Sequence, residues 1–244
     1  MTARIFTLAD QAAFAALSGD FNPLHVDPLA ARRTTFGRPV VHGIHLLLWA
    51  LAQTGGGSLS RLSVIFRNPV CVGDTVSLRH EGARISLYVG AAEAVRIQAD
   101  HGAMAVPAPG QVAPDRGQPR DVTAETIEKT MGSLPLTFDA EAGAALVRGG
   151  LPPGQAAVLL ATTRLVGMEC PGLHSLYSEL ALEFSSPSEG ATVAPRLDWR
   201  VADFDARFSR ATIAFAAPGA KGTIQAFLRP APQQQPSSAE LLAR

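Results

Sequence analysis

Apolar and polar positions alternate most clearly from Leu62 to Pro69, where Leu62, Val64 and Phe66 face away from a more polar side before proline closes the run. Leu180, Leu182 and Phe184 repeat the pattern ahead of Pro187; residues 62 and 180, 66 and 184, and 69 and 187 are all 118 positions apart. A period of two over this length predicts a half-buried strand, and the proline marks its end. Each of these strands follows a different kind of segment. His42 to Gln53 is apolar on nearly every side and stops at Gly55-Gly56-Gly57, the pattern of a buried helix with a glycine exit. Gln155 to Met168 reads as its counterpart, ending near Pro171-Gly172. Further strands are expected at Thr75 to His80, Ile85 to Val89 and Ala94 to Ala99. Later ones are expected at Thr192 to Asp198, Phe208 to Ala216 and Gly222 to Leu228. Each half is then a helix followed by about four antiparallel strands, with a short helix or strand before it, which is an α+β architecture. A helix apolar all round needs cover on all sides, and a curved sheet supplies it.

Pro107, Pro109, Pro114 and Pro119 punctuate the stretch between the halves. The expected organisation is therefore residues 1–105, a linker at 106–120, a second half at 121–230 and a flexible tail at 231–244. A short helix at 239–244 is an alternative for the tail. The bulk numbers narrow the class. Of 244 residues, 47% are hydrophobic and 17% charged, which suits a well-cored globular chain. Basic and acidic residues balance at 21 each, and Arg32-Arg33 is the longest basic run. That excludes a broad positive field of the kind nucleic acid or a membrane surface attracts. No segment has the roughly 18 uninterrupted apolar residues of a membrane span. Asp10 interrupts the start too early for a secretory leader. Cys71 and Cys170 are the only cysteines, too few for a disulfide framework or a cysteine metal site, so a cytoplasmic protein without a metal is expected.

The chemistry gathers near the start. In Ser18-Gly19-Asp20-Phe21-Asn22-Pro23-Leu24-His25, an acid and an imidazole five positions apart are joined by an Asn-Pro turn. Such a turn folds the chain back, so both side chains can face one cavity. Phe36-Gly37-Arg38-Pro39-Val40-Val41-His42-Gly43 then opens onto the apolar helix. A carboxylate, an imidazole and a helix start with free N–H groups suit proton transfer beside a carbonyl. Nothing comparable lies between Asp121 and Gln155, so the second half keeps the fold signals and lacks the site.

Ala16 to Asp27, followed by Phe36-Gly37, Val41-His42-Gly43, Phe66-Arg67-Asn68-Pro69-Val70 and Gly73-Asp74-Thr75, resembles the signature of the MaoC-like, (R)-specific enoyl-CoA hydratases. The resemblance covers roughly residues 6–100. It implies a double hot-dog fold, two curved antiparallel sheets each wrapped around a central helix. It also implies reversible hydration of trans-2-enoyl thioesters to (3R)-3-hydroxyacyl thioesters, bound to coenzyme A or a carrier protein, with no cofactor. Carried over by position, Asp20 and His25 are the catalytic pair, Asn22 orients the pair or its water, and the N–H of Gly43 binds the thioester oxygen. Such a chain is a monomeric pseudo-dimer or a homodimer. Two departures stand out. The motif lies in the N-terminal half rather than the C-terminal half familiar in eukaryotic double hot-dog members, and His45 replaces a usually apolar residue. Competing functions on the same fold are a non-catalytic acyl-thioester-binding scaffold and a hot-dog thioesterase.

The remaining candidates carry two readings each. Asp27 is an N-cap before Pro28 or a neighbour of the catalytic pair. His42 fixes the loop by hydrogen bonding or takes part in chemistry. His45 is a core histidine or lines the substrate pocket. Arg67, Arg84, Arg32 and Arg33 are surface charges or meet the phosphates of the substrate's carrier arm. The missing motif in the second half implies pocket space released for a longer acyl chain.

Overall fold

A computed structural model describes residues 2–104, 106–111, 116–186 and 195–230. Pro114, Pro187, the start of the strand expected at 192–198 and the tail at 231–244 lie outside the described residues. The first half runs β1 (Thr2–Ile5), α1 (Leu8–Ser18), α2 (Pro23–Val26), α3 (Pro28–Arg32), α4 (Gly43–Thr54), β2 (Leu59–Phe66), β3 (Thr75–Glu81), β4 (Arg84–Val89) and β5 (Ala92–His101). A 3-10 turn at Ile127–Lys129 precedes β6 (Met131–Pro135) and α5 (Pro153–Arg164). A π-helical segment, Leu165–Glu169, then leads to β7 (Ser175–Phe184), β8 (Arg196–Asp205), β9 (Arg210–Ala217) and β10 (Ala220–Leu228).

These strands form one continuous antiparallel sheet in the order β1-β3-β4-β5-β2-β7-β10-β9-β8-β6. Each half therefore has the same internal order, from its edge strand inward to the strand that follows its helix. The two repeated sequences meet at the seam. Leu62 pairs with Leu182 and Val64 with Leu180, the exchange required when a two-fold axis relates 62 to 180 and 64 to 182. The apolar face of those strands is buried, with Leu62 and Val64 at 0% exposure, and its partner is the pair of helices beneath. Ile44 to Leu51 of α4 are buried without interruption, as are Gly154 to Thr163 of α5. The two helices touch each other and share one core with both halves of the sheet.

Backbone at the seam is satisfied by a side chain from the opposite half. Gln155 of α5, fully buried, accepts from the N–H of Leu59 at 2.8 Å and donates to the Leu59 carbonyl at 2.8 Å. A buried backbone donor and acceptor would otherwise be stranded. The linker also has a place in the packing, because Val106 and the Pro107 carbonyl press against Gly154 near the start of α5. The helix start corresponding to Gly43 is thus covered by the chain itself. Strand β8 ends later than the pattern predicts. Leu197, Trp199 and Val201 carry its buried alternation, and a bulge between Val201 and Asp203 extends it through polar residues. Among the described residues no helix is long and apolar enough to cross a membrane.

Replacing Gln155 with leucine leaves both main-chain groups of Leu59 unpaired in the core. We expect Gln155→Leu to destabilise the protein by about 1–3 kcal/mol, read as a lower urea midpoint with an unchanged slope.

Candidate active site

The site starts at the exit of α1. Thr7 and Asp10 form a reciprocal capping box at its beginning, and Gly19 ends it in the left-handed region at φ 75°, a conformation glycine adopts without strain. Ser18 Oγ donates to the Phe14 carbonyl at 2.8 Å and accepts from the Asp20 N–H at 3.2 Å, so the chain leaves the helix along a fixed path. Asn22 caps α2, its Oδ1 accepting from the Leu24 N–H at 3.0 Å, with Pro23 at the first helical position. One short turn then presents His25. Asp27 is the N-cap of α3, accepting from Leu29 and Ala30 at 2.8 and 3.2 Å, which settles its role in favour of capping.

Asp20 and His25 come together, with a carboxylate oxygen and a ring nitrogen within 4.8 Å of each other. That spacing lets one water molecule hydrogen-bond to both. Both residues line a cavity of about 180 Å³ that also reaches Gly43 and Arg67. Gly43 is the first residue of α4, where helix N–H groups have no intrahelical acceptor and the dipole is positive. A side chain there is impossible without movement, since a Cβ would stand 2.7 Å from the Phe66 ring. His25 Nδ1 donates to the Val40 carbonyl at 2.7 Å, which leaves a lone pair on Nε2 while the ring is neutral.

The second half completes the pocket. Thr163 of α5 donates its hydroxyl to Asp20 Oδ2 at 2.7 Å, and the Asn22 N–H donates to Oδ1 at 3.2 Å. Gly167, in the π-helical segment, lies so close that a Cβ there would collide with the Asp20 carboxylate. The Phe21 N–H points at Met168 Sδ, 3.2 Å away. Val166, Tyr177 and Phe227 close the apolar side of the cavity against Val41, Leu46 and Phe66. Sequence reasoning missed these second-half residues because even Thr163 lies 143 positions from Asp20. Thr162-Thr163 in an otherwise apolar helix is the one hint.

Two expected site residues, His45 and Arg84, stand elsewhere, and the amide of Asn22 faces the second half rather than the cavity. Its Nδ2 donates to the carbonyls of Gly167 and Gly172, both at 3.0 Å, and at 3.4 Å to that of Leu173, so it orients the pair by fastening its loop to the second half. His45 is a core histidine, 5% exposed, stacked on Phe14 at 4.6 Å and edge-on to Phe6. Arg84 lies on the far strand β4, in a separate group with Arg79 and Glu93. Arg67 stays at the cavity rim, paired with Glu93 at 3.4 Å, while Arg32 and Arg33 are exposed and outside the lining. His42 fixes the loop. Its Nε2 donates to the Asp20 carbonyl at 3.1 Å, its N–H donates to Gln11 Oε1 at 3.1 Å, and its ring stacks on His25 at 3.9 Å.

Asp20, His25 and His42 together have the proximity of a metal site. With His42 Nε2 donating to the Asp20 carbonyl and His25 Nδ1 to the Val40 carbonyl, His25 Nε2 and the Asp20 carboxylate are the groups left facing the cavity. That is fewer ligands than a protein zinc site offers.

Burial dominates the electrostatics. It pushes the Asp20 carboxyl above its usual range, against the pull of His25, Thr163 and the Asn22 N–H. It pushes His25 below the usual imidazole range, against Asp20 and the Val40 carbonyl, with Arg229 adding to the lowering. His42 is held well down by burial and by His25, and burial takes His45 to about 3. Burial thus favours the uncharged form of each partner, while their mutual attraction opposes it. The sign for stability follows. Above the usual carboxyl value of 3.8 the unfolded Asp20 releases a proton that the folded one retains, so this residue lowers stability as pH rises toward its folded value. We expect Asp20→Asn to melt at a higher temperature than the parent at pH 8, with the gap shrinking toward pH 5 in calorimetric scans.

Comparison with known proteins follows the same division of the chain. Residues 2–94 match the family model described as a MaoC like domain. An (R)-specific enoyl-CoA hydratase of Aeromonas caviae is 48% identical over 82 residues, covering 31% of this chain and 61% of that protein. The 3-hydroxyacyl-thioester dehydratase Y of Mycobacterium tuberculosis is 39% identical over 79 residues, covering 29% of this chain and 27% of that protein. The chain therefore spans less than two thirds of the length of either. Over nearly its whole length it superposes on a solved MaoC-like dehydratase with a TM-score of 0.57 at 13% identity, covering 94% of this chain and 96% of that one. A Mycobacterium tuberculosis protein described as a double hotdog fold gives 0.58 at 11% identity and 93% coverage of both chains. These likenesses show the fold, a double hot-dog.

Proposed function

We propose that this chain, whose residues 2–94 match the MaoC like domain model, reversibly hydrates trans-2-enoyl thioesters to (3R)-3-hydroxyacyl thioesters. The observation that carries the reading is the convergence of Asp20, His25 and the Gly43 N–H on one cavity. The named relatives support it, the Aeromonas protein acting on an enoyl-CoA and the Mycobacterium protein on a 3-hydroxyacyl thioester. The acyl carrier is coenzyme A or a carrier protein, and the chemistry needs only proton transfers.

In this reading water sits between Asp20 and His25. Neutral His25 takes one of its protons at Nε2 as the oxygen bonds to C3, and the π electrons move through C2 to the thioester oxygen. The Gly43 N–H and the positive end of α4 stabilise that charge, a kind of interaction worth about 10²–10³ in rate elsewhere. Protonated Asp20 then gives its proton to C2. The pair finishes as carboxylate and imidazolium and resets by returning the proton from His25 to Asp20. Dehydration runs the same steps backwards, with the Asp20 carboxylate removing the C2 proton and the imidazolium protonating the departing hydroxyl. One proton shared by the pair serves both directions, so activity follows a bell-shaped pH profile belonging to the pair.

Cavity size limits the substrate. A protein cavity of about 150 Å³ accommodates a benzene ring, so the space here favours acyl groups of roughly four to six carbons. We expect loss of enoyl absorbance with crotonyl- and hexenoyl-CoA, slower turnover with decenoyl-CoA, and the (3R) product on chiral analysis. Asp20→Asn and His25→Ala are expected to lower kcat by about 10²–10⁴ in folded protein. Release of free thiol from the same substrates, without hydration, would mean a thioesterase instead. Indifference of acyl-CoA binding and turnover to both substitutions would mean a scaffold.

A further inference from the structure

The half without the motif supplies the one side chain that hydrogen-bonds the Asp20 carboxylate. Among the described residues Oδ1 receives only the Asn22 main-chain N–H, and Oδ2 receives only Thr163 Oγ1, at 2.7 Å. Thr163 is 3% exposed and Asp20 1% exposed, so their hydrogen bond is shielded from bulk solvent. The neighbouring Thr162 hydroxyl is turned away, donating to the Leu159 carbonyl at 2.7 Å. Thr163 instead aims its hydroxyl across the interface, 143 positions along the chain from its partner.

We propose that Thr163 is a positioning residue for Asp20, holding Oδ2 toward the cavity in both protonation states and keeping the buried carboxyl able to ionise. A threonine hydroxyl has one proton and two lone pairs. It donates to the carboxylate and, after rotation, accepts from the protonated acid, so it stays hydrogen-bonded on either side of the proton transfer. Donation to the ion is the stronger of the two bonds, which makes ionisation easier than burial alone would allow. A valine has the same shape and offers neither bond.

The other ionisable groups around Asp20 do not take this role. His25 faces it across the proposed water. His42 Nε2 is 3.9 Å from Oδ2 and donates to the Asp20 carbonyl instead. Arg229 directs its guanidinium to the Ser175 and Leu173 carbonyls, and Arg116 lies over the Phe21 ring at 5.1 Å. Removing the hydroxyl leaves these in place and strips Oδ2 of its donor. The effect on turnover rests on the hydratase reading; the effect on Asp20 itself does not.

The test is a carboxyl 13C NMR titration of protein labelled at aspartate, with the Asp20 signal assigned by its absence in Asp20→Asn. We expect Thr163→Val to move the Asp20 midpoint up by about one to two pH units, and Thr163→Ser to restore it. Enoyl-CoA kinetics on the same variants should show kcat about tenfold to a hundredfold lower for Thr163→Val. The alkaline limb of its pH profile should move up with the midpoint and the acid limb should stay, because the second proton of the pair lands on His25. Thr163→Ala gives the same readings where the valine variant folds poorly. An Asp20 midpoint unchanged in both hydroxyl-free variants, or a serine variant that behaves like valine, overturns the proposal. Absence of turnover in the parent protein overturns the hydratase reading alone, since the titration reports on Thr163 without it.

Discussion

Asp20 is a carboxyl group almost sealed from water, and the rest of the structure is arranged around keeping it there. Burying a carboxylate is unfavourable unless donors replace the lost hydration. The Asn22 N–H and the Thr163 hydroxyl provide two, and the close approach of Gly167 leaves no room for a different placement. The π-helical segment matters here, because its backbone offers Gly167 as both a carbonyl acceptor for Asn22 and a flat surface for Asp20. Such local widenings of a helix are common at functional sites. The buried acid of the first half is thus held in place by the second.

This dependence explains why a half without the motif persists as a full hot-dog unit. Its sheet continues the first half's sheet through β2 and β7, and Gln155 ties its helix to Leu59. Its own helix start, the counterpart of Gly43, is covered by Val106 and Pro107. The cavity at the first site is bordered on its apolar side by Val166, Tyr177 and Phe227. The second half thus serves as a wall and a clamp for the first.

Much of this was legible in the residues alone, and the exceptions have physical causes. The apolar helix at 42–53 and the repeated strands were visible because burial on one or all sides writes a period into the sequence. Asp20, His25 and Gly43 were visible because they fall within a short run whose turn and cap residues dictate their direction. The π-helical stretch was read as plain helix, since periodicity does not register one extra residue per turn. Helix α1 went unread because its apolar positions are mostly alanine, which gives little contrast between faces, and strand β6 because it is short, with Met131 68% exposed. Asn22 was read as orienting the pair or its water, and its choice of the Gly167 and Gly172 carbonyls was not legible, because a cap residue's direction depends on what the distant chain offers it. Thr163 and Gly167 belong to that same category of long-range contacts, which local pattern does not encode.

The central claim is that Asp20, His25 and the start of α4 act on one thioester in one cavity. A crystal structure of Asp20→Asn with (3R)-hydroxybutyryl-CoA tests it most directly. The account predicts the thioester oxygen about 3 Å from the Gly43 nitrogen, with the C3 hydroxyl between residue 20 and His25 Nε2. An acyl group seated elsewhere, or a C3 hydroxyl turned away from both side chains while the loop keeps its fold, would contradict it.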